Sequence, residues 1–394
     1  MEEIKLIKST FYKEADTKKK LINFIKSAKI LSFGPECENF ERNFSKYQGR
    51  DHTVFLNSGS SANLAIIQSL INLGRLQKGD LVGFSALTWS TNVMPLIELG
   101  LKAVPIDVEL DTLNVSSSKL LEVLGKHSLK ALFITNLLGF CDDLDKIKDV
   151  CNKKKIILIE DNCESLGTVY MGKKLGNYGV ASTFSFYVGH HMSTIEGGAV
   201  CTDDLELAKM LRLVRAHGWD RNLSTSEQVE IRNLHNVNSN FYSRYTFYDL
   251  GYNLRPTEIC GFIGNIQIPY INEIAQKRNK NYRRFSNRIY QFGDKYYPIK
   301  DSHIDFLSNF AVPIICRDVE IRNLLVEKCN KVVEIRPIVG GDITAQPFFI
   351  KYSKEYLNNF SNPNARLIHN QGLYFGNNPE MKQGEIKAII DIFT

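Results

Sequence analysis

The chain lacks any pair of cysteines spaced Cys-x-x-Cys, although eight cysteines are spread along its 394 residues, and no histidines cluster around them. That scatter excludes the usual zinc and iron–sulfur frameworks, so no metal site is expected and the thiols are read as reduced core residues. No apolar run approaches the roughly 20 residues that a membrane helix needs. The N-terminus, Met1-Glu2-Glu3-Ile4-Lys5, opens charged and without the apolar stretch of a secretory leader. A soluble cytoplasmic protein with no membrane partner is the expectation. Charge of one sign is not in great excess, 49 Lys and Arg against 43 Asp and Glu, for a net +6. Short basic groups such as Lys18-Lys19-Lys20 and Lys153-Lys154-Lys155 read as solvated faces, and no nucleic-acid motif accompanies them. Internal repeats and low-complexity tracts are absent too.

What is present is an alternation of short apolar runs with helical spacing. Residues 53–56, 81–84, 103–106, 131–134 and 156–159 read as buried strands, with helical periodicity at 62–73 and 116–124 between them. Strands separated by helices imply an α/β fold with a mostly parallel sheet, in which ligands gather beyond the carboxyl ends of the strands. The polar stretch 222–243 shows little apolar periodicity and reads as a long loop. Pro256 opens a helical region that runs to about Phe292. A second alternation follows, with a strand at 310–315, a helix at 319–329 and a strand at 332–335. This predicts two domains, an N-terminal segment with a large domain over 1–294 and a small C-terminal α/β domain over 295–394.

Several motifs fall at the predicted strand ends. Asn57-Ser58-Gly59-Ser60-Ser61-Ala62-Asn63 follows a strand and opens a helix, where free N–H groups and small hydroxyls make a phosphate cup or simply cap the helix. Ile159-Glu160-Asp161-Asn162-Cys163-Glu164 puts carboxylates at the end of another strand, suited either to a ring nitrogen of a bound cofactor or to a helix cap. Trp89 follows a third strand and could stack on a ring or pack. Ser185 ends the strand leading to Gly189-His190-His191-Met192, a polar loop followed by Glu196-Gly197-Gly198. Neighbouring side chains diverge, so His190 and His191 are poor joint metal ligands.

Taken together, these segments resemble the DegT/DnrJ/EryC1/StrS group of enzymes, which use pyridoxal phosphate (PLP) and act on nucleotide sugars. The likeness spans nearly the whole chain, from Leu31-Ser32-Phe33-Gly34-Pro35 through Arg215-Ala216-His217-Gly218-Trp219 to Gly251-Tyr252-Asn253-Leu254-Arg255-Pro256. It implies the PLP-dependent aminotransferase fold type I and a homodimer with shared active sites. Residue by residue, it places Gly59, Ser60 and Ser185 on the cofactor phosphate, Trp89 on the ring face, Asp161 on the ring nitrogen and Glu164 near the ring hydroxyl. Asn253 of the partner subunit would reach the phosphate, and His217 matches a position close to the site without a firm role.

At the position of His190 the family normally carries a lysine joined covalently to PLP. An imidazole moves protons near neutral pH but cannot make that stable link. The substitution points to the members that remove the C3 hydroxyl of nucleotide-linked, GDP-linked by the nearest likeness, 4-keto-6-deoxy hexoses or heptoses. In that reading the cofactor is held non-covalently as PLP or pyridoxamine phosphate (PMP). Glutamate regenerates PMP, ammonia is released and His190 is the catalytic acid/base. The alternatives are a 4-aminotransferase of nucleotide sugars and a non-catalytic cofactor-binding homologue. The iron–sulfur relatives that also carry the histidine are set aside, because their clustered cysteine ligands are missing.

Overall fold

Residues 3–353 and 360–394 are described by the computed structural model. The strands are β1 (His52–Leu56), β2 (Leu81–Ser85), β3 (Lys102–Ile106), β4 (Ala131–Thr135), β5 (Ile157–Asp161), the short β6 (Val169–Tyr170) and β7 (Lys173–Lys174), β8 (Ala181–Ser185) and β9 (Gly198–Thr202). Further on come β10 (Tyr296–Tyr297), β11 (Ala311–Cys316), β12 (Ile335–Arg336) and β13 (Gly372–Gly376). Seven strands form one sheet in the order β1-β9-β8-β5-β4-β2-β3, while β6 and β7 make a separate hairpin. Only β9 runs against the others in that sheet, pairing antiparallel with both β1 and β8. The remaining pairings are parallel.

Both faces of this sheet are covered, which explains why its strands read as near-continuous apolar runs. Successive side chains point to opposite faces. Val104, Leu132 and Leu158 accordingly join one core with Phe140, Phe285 and Phe310. Their neighbours Ala103, Phe133 and Ile159 join another with Ile66, Phe84 and Leu211. A third cluster forms where the helix Pro35–Gln48 crosses the β1 edge, with Phe40 and Phe55 centroids 4.4 Å apart and Phe44 edge-on to Phe184 at 5.2 Å. Pro at the first helical position and Gly49 at φ 79° beyond the last punctuate that helix.

The second sheet, ordered β10-β11-β13-β12, is antiparallel and is flanked by the helices Val319–Cys329, Pro363–Gln371 and Gln383–Phe393. Its inner residues, such as Ile314 and Phe375, belong to the same core as Leu132, so the two sheets share one apolar contact. The chain begins beside this second sheet, since Ile4 pairs with Val333 in a parallel bridge. Among the described residues no helix is long and apolar enough to cross a membrane.

Two sequence readings are corrected. The stretch 222–243 is not one long loop, because it holds the helix Thr225–Leu234. That helix buries none of its residues, which is why it carries no apolar period. It is held by a capping box between Ser224 and Glu227 and by ion pairs from Lys209 to Glu230 (2.9 Å) and from Arg232 to Asp220 (2.7 Å). The strand expected at 332–335 instead starts at Ile335, and Val333 pairs with the N-terminal segment.

Glu160, at the end of β5, is fully buried and accepts four hydrogen bonds. Oε1 takes the N–H groups of Tyr178 and Gly179, both at 2.7 Å, and Oε2 takes those of Gly176 (2.9 Å) and Asn136 Nδ2 (3.1 Å). Glu160→Gln would turn an NH2 toward one of these donor pairs. The expected outcome in urea unfolding is a loss of about 3 kcal/mol, since buried donors left unpaired each cost about 1–3 kcal/mol.

Candidate active site

Six strands of the large sheet point the same way, and the ends of β1, β2, β4, β5 and β8 open into one cleft. Its volume is 420 Å³, within the range usual for cofactor pockets. Residues 336–339 and Tyr374 close the cleft from the small sheet.

The cup lies where β1 passes into the helix Gly59–Asn72. Ser58 caps this helix, its Oγ accepting the Ser61 N–H at 3.0 Å. The N–H groups of Gly59 and Ser60 then have no place in the helical ladder, and both residues line the cleft. Ser185, the last residue of β8, stands against them. A Cβ on Gly59 would lie 2.6 Å from the Ser185 Cβ and 3.2 Å from the Cys163 Sγ, so glycine is required by close approach. Gly198 in β9 is similarly constrained, since a Cβ there would come within 2.1 Å of the Ser58 oxygen.

Deeper in the cleft, Asp161 is buried and held by amides. Its Oδ2 accepts from Asn92 Nδ2 (2.7 Å) and Asn63 Nδ2 (3.1 Å), and Oδ1 accepts from the Cys163 N–H (2.9 Å). Asn92 is oriented in turn by Thr88, whose hydroxyl lies 3.0 Å from its Oδ1 and 2.6 Å from the Thr135 hydroxyl. This chain fixes the carboxylate at the cleft floor, while its neighbour Glu160 faces away and is spent on three main-chain N–H groups and the Asn136 amide. Glu164 borders the same floor and accepts the Leu138 N–H at 2.9 Å. Burial pushes its carboxyl up to about 7, and Asp161 adds to the rise. Leu138 takes the unusual φ of 55° to present that N–H. Trp89 is 54% exposed at the cleft wall, so its ring face is open to a ligand rather than packed.

His190 sits in a tight turn, its N–H donating to the Tyr187 oxygen at 2.9 Å. Its ring lies 5.2 Å from Phe310 and 6.3 Å edge-on to Tyr187 and borders the cleft. Burial drives the imidazole down to about 4 and the Arg278 charge adds to this, while the Cys163 main chain opposes them. The ring is neutral at pH 7. His191 diverges as neighbouring side chains do, with Nε2 2.9 Å from the Ser308 oxygen. It lies outside the cleft lining.

Gly59, Ser60, Trp89, Asp161, Glu164, Ser185 and His190 thus meet in one cleft. Asn253 does not line it on its own chain, where its Oδ1 accepts from Arg255 Nε at 3.0 Å. Its neighbour Leu254 does lie beside the cup, accepting the Asn57 N–H at 3.0 Å. His217 is exposed at φ 62° and also lies off the cleft. Sequence reasoning missed Asn63 and Asn92, although Asn63 falls one helical turn after Gly59 on the same face. It also missed Phe310 and Tyr374, which come from the small sheet and carry no local signal, whereas the segment 336–342 reads from sequence as able to shape the sugar pocket and places Arg336, Pro337 and Val339 in the cleft lining. Among the described residues no group of three or more His, Cys, Asp or Glu could hold a metal ion. The residues present fit PLP: a donor cup for a phosphate, a held carboxylate for the ring nitrogen and an exposed indole on the cleft wall.

The profile of the DegT/DnrJ/EryC1/StrS aminotransferase family matches residues 12–394. GDP-4-keto-6-deoxy-D-mannose 3-dehydratase of Escherichia coli O55:H7 is 34% identical over 369 residues, 92% of each chain. The structure of the E. coli enzyme of that name with bound hydrated PLP superposes with a TM-score of 0.89, at 31% identity and over 100% of both chains. A structure of GDP-4-keto-6-deoxymannose-3-dehydratase with a trapped PLP–glutamate geminal diamine gives a TM-score of 0.86, also at 31% identity and over 100% of both chains. The fold is that of the fold type I, aminotransferase-like PLP enzymes.

Gly59→Ala is expected to leave the chain folded but to displace Ser185 from the cup. PLP binding, followed by absorbance titration, should weaken at least about tenfold, or about 1.4 kcal/mol. An affinity within about twofold of wild type would show that the cup tolerates the methyl group.

Proposed function

The chain belongs to the DegT/DnrJ/EryC1/StrS aminotransferase family, and from that premise we propose that it is a PMP-dependent 3-dehydratase of a GDP-linked 4-keto-6-deoxy sugar. The observation that carries this reading is His190 at the base position of a cleft that has no lysine among its described lining residues. An aminotransferase of this family needs the lysine amine, whereas an elimination needs only a group that moves protons. The 3-dehydratase relatives and the glutamate adduct in one of them support the substrate class and glutamate as amino donor.

In this reading Gly59, Ser60 and Ser185 hold the phosphate, Trp89 covers the ring and Asp161 pairs with the ring nitrogen. Glu164, with its carboxyl near 7, stands beside the ring hydroxyl. The bound PMP supplies an amine for the sugar ketone and a ring that accepts electrons. The neutral His190 imidazole takes a proton from the cofactor's C4′ carbon. The same ring, now charged, protonates the C3 hydroxyl as it leaves as water. The products would be the 3-deoxy-4-keto sugar and ammonia, whose nitrogen comes from PMP, and glutamate would return the resulting PLP to PMP. Without a covalent tether, phosphate and ring contacts alone retain the cofactor.

The enzyme is cytoplasmic in this reading, with the cofactor site in residues 1–294 and a small domain over 295–394. It acts as a homodimer in which Asn253 of the partner subunit completes the phosphate site. Supporting this is a run of uncovered apolar side chains just before Asn253: Phe241, Tyr242, Tyr245 and Leu250 are 72%, 72%, 70% and 70% exposed. The sugar is a hexose or a heptose. The segment 336–342, with its Gly340-Gly341 pair, and the stretch 346–349 would set the size of the sugar pocket, and Arg336, Pro337 and Val339 line the cleft.

Incubation with PLP, glutamate and GDP-4-keto-6-deoxymannose or its heptose counterpart should yield a sugar one oxygen lighter, together with ammonia. A stable 4-amino sugar would overturn the proposal. His190→Asn should keep cofactor binding and lower 3-deoxygenation at least about 100-fold, the low end of what a general acid/base contributes. Asp161→Asn should slow both the glutamate and the sugar half-reaction in stopped-flow absorbance. An effect on neither would assign the ring nitrogen to another residue.

A further inference from the structure

The turn that carries His190 has a second face, directed away from the cleft, and a buried cation lies against it. Arg278, on the helix Ile271–Ile289, is 4% exposed. Its Nη1 donates to the main-chain oxygens of Phe310 (2.8 Å) and Asn377 (2.6 Å), and its Nη2 to that of His190 (3.3 Å). Phe310 immediately precedes β11 and Asn377 immediately follows β13, so one side chain joins the turn to two paired strands of the small sheet. Asn377 reinforces the joint, its Nδ2 donating to the Arg278 oxygen at 2.9 Å and to Asn309 Oδ1 at 2.7 Å. All three acceptors of the guanidinium are neutral. Burial alone lowers Arg278 to about 9, with no carboxylate opposing it. Neutral amides could satisfy main-chain oxygens at a smaller desolvation cost, so the charge itself calls for an explanation.

We propose that Arg278 is a positioning residue for His190, clamping the imidazole-bearing turn to the small sheet and presenting a fixed positive charge to its inner face. The proposal rests on the acid/base role given to His190 above. Arg278 touches neither the cleft nor anything bound there, and acts only through the histidine. A guanidinium on that side disfavours the imidazolium. Added to burial, it keeps the ring neutral when it must accept a proton, and once charged the ring surrenders the proton readily to the departing hydroxyl. The other ionisable groups around the turn are His191, Tyr12 and Glu380 on the inner side and Asp161, Cys163, Glu164, Tyr187, Glu196, Arg336 and Tyr374 around the cleft. Burial is the first cause of the ring's low proton affinity, and Arg278 is the charge among these groups that adds to it.

The experiment is a histidine NMR titration of the full-length protein, 13C-labelled at the imidazole carbons, with and without PLP. Eight histidines give few resonances, and His190 is assigned by its absence in His190→Asn. The wild-type His190 midpoint should lie near 4 without cofactor. Arg278→Gln should raise it by about one unit, a tenfold gain in proton affinity, and the acid limb of the kcat profile should move the same way with KM unchanged. Arg278→Lys keeps the charge but not the three-way clamp. It should hold the midpoint within about half a unit while kcat falls at least about tenfold. A folded Arg278→Gln protein with an unmoved midpoint overturns the proposal. If that variant does not fold, a wild-type midpoint at the ordinary histidine value, or full kcat in Arg278→Lys, overturns it equally. The titration reads His190 whatever reaction the protein catalyses, so its failure is distinct from failure of the product assay.

Discussion

Covering a parallel sheet on both faces leaves polar chemistry with one outlet, the edge beyond the carboxyl ends of its strands. The strands here bury nearly every side chain they carry, and three pass directly into polar residues: Asn57-Ser58 after β1, Asn136 after β4 and Asn162 after β5. A carboxylate placed mid-strand would need four or more partners, as Glu160 at the end of β5 already does. The cup, the acid and the histidine turn therefore converge because no other part of the sheet admits them. The second sheet matters for the same reason, since Phe310, Arg336 and Tyr374 seal the open side of that edge.

Three acidic residues within five positions show how environment divides one chemistry. Glu160 is consumed by three main-chain donors and the Asn136 amide and supports the 176–179 loop. Asp161, one residue on, turns to the opposite face and is held by two asparagine amides. Glu164 has one main-chain donor, little water and Asp161 nearby, so its proton affinity rises into the neutral range. A fixed carboxylate and a titratable carboxyl thus border the same cleft from a single strand end.

His190 is governed by what lies behind it as much as by what it faces. A lysine at this position would be held by its covalent bond, whereas an imidazole has to be aimed by its surroundings. Here the ring is packed against Phe310 and its main-chain oxygen is bonded to Arg278. The turn, the helix Ile271–Ile289 and both central strands of the small sheet act as one support for a group that forms no bond to the cofactor.

Local sequence determined the strands and most helices, because apolar periodicity reports burial directly. Val319–Cys329 and the helix opening at Gly59 were legible to the residue or nearly so, and the cup, Trp89, Asp161 and Ser185 stood out at strand ends, while their roles and that of His190 came from the family resemblance. The helix Thr225–Leu234 escaped because it buries nothing, and only its capping pair, Ser224 and Glu227, marked it. Tertiary structure alone decided that Asn63 and Asn92 grip Asp161, that Gly340 is set by the Thr88 oxygen, and that Arg278 reaches His190 across 88 positions of sequence. Periodicity encodes which face of an element is buried. It carries no information on which distant donor meets a given acceptor, because that depends on how two sheets and the helix between them pack.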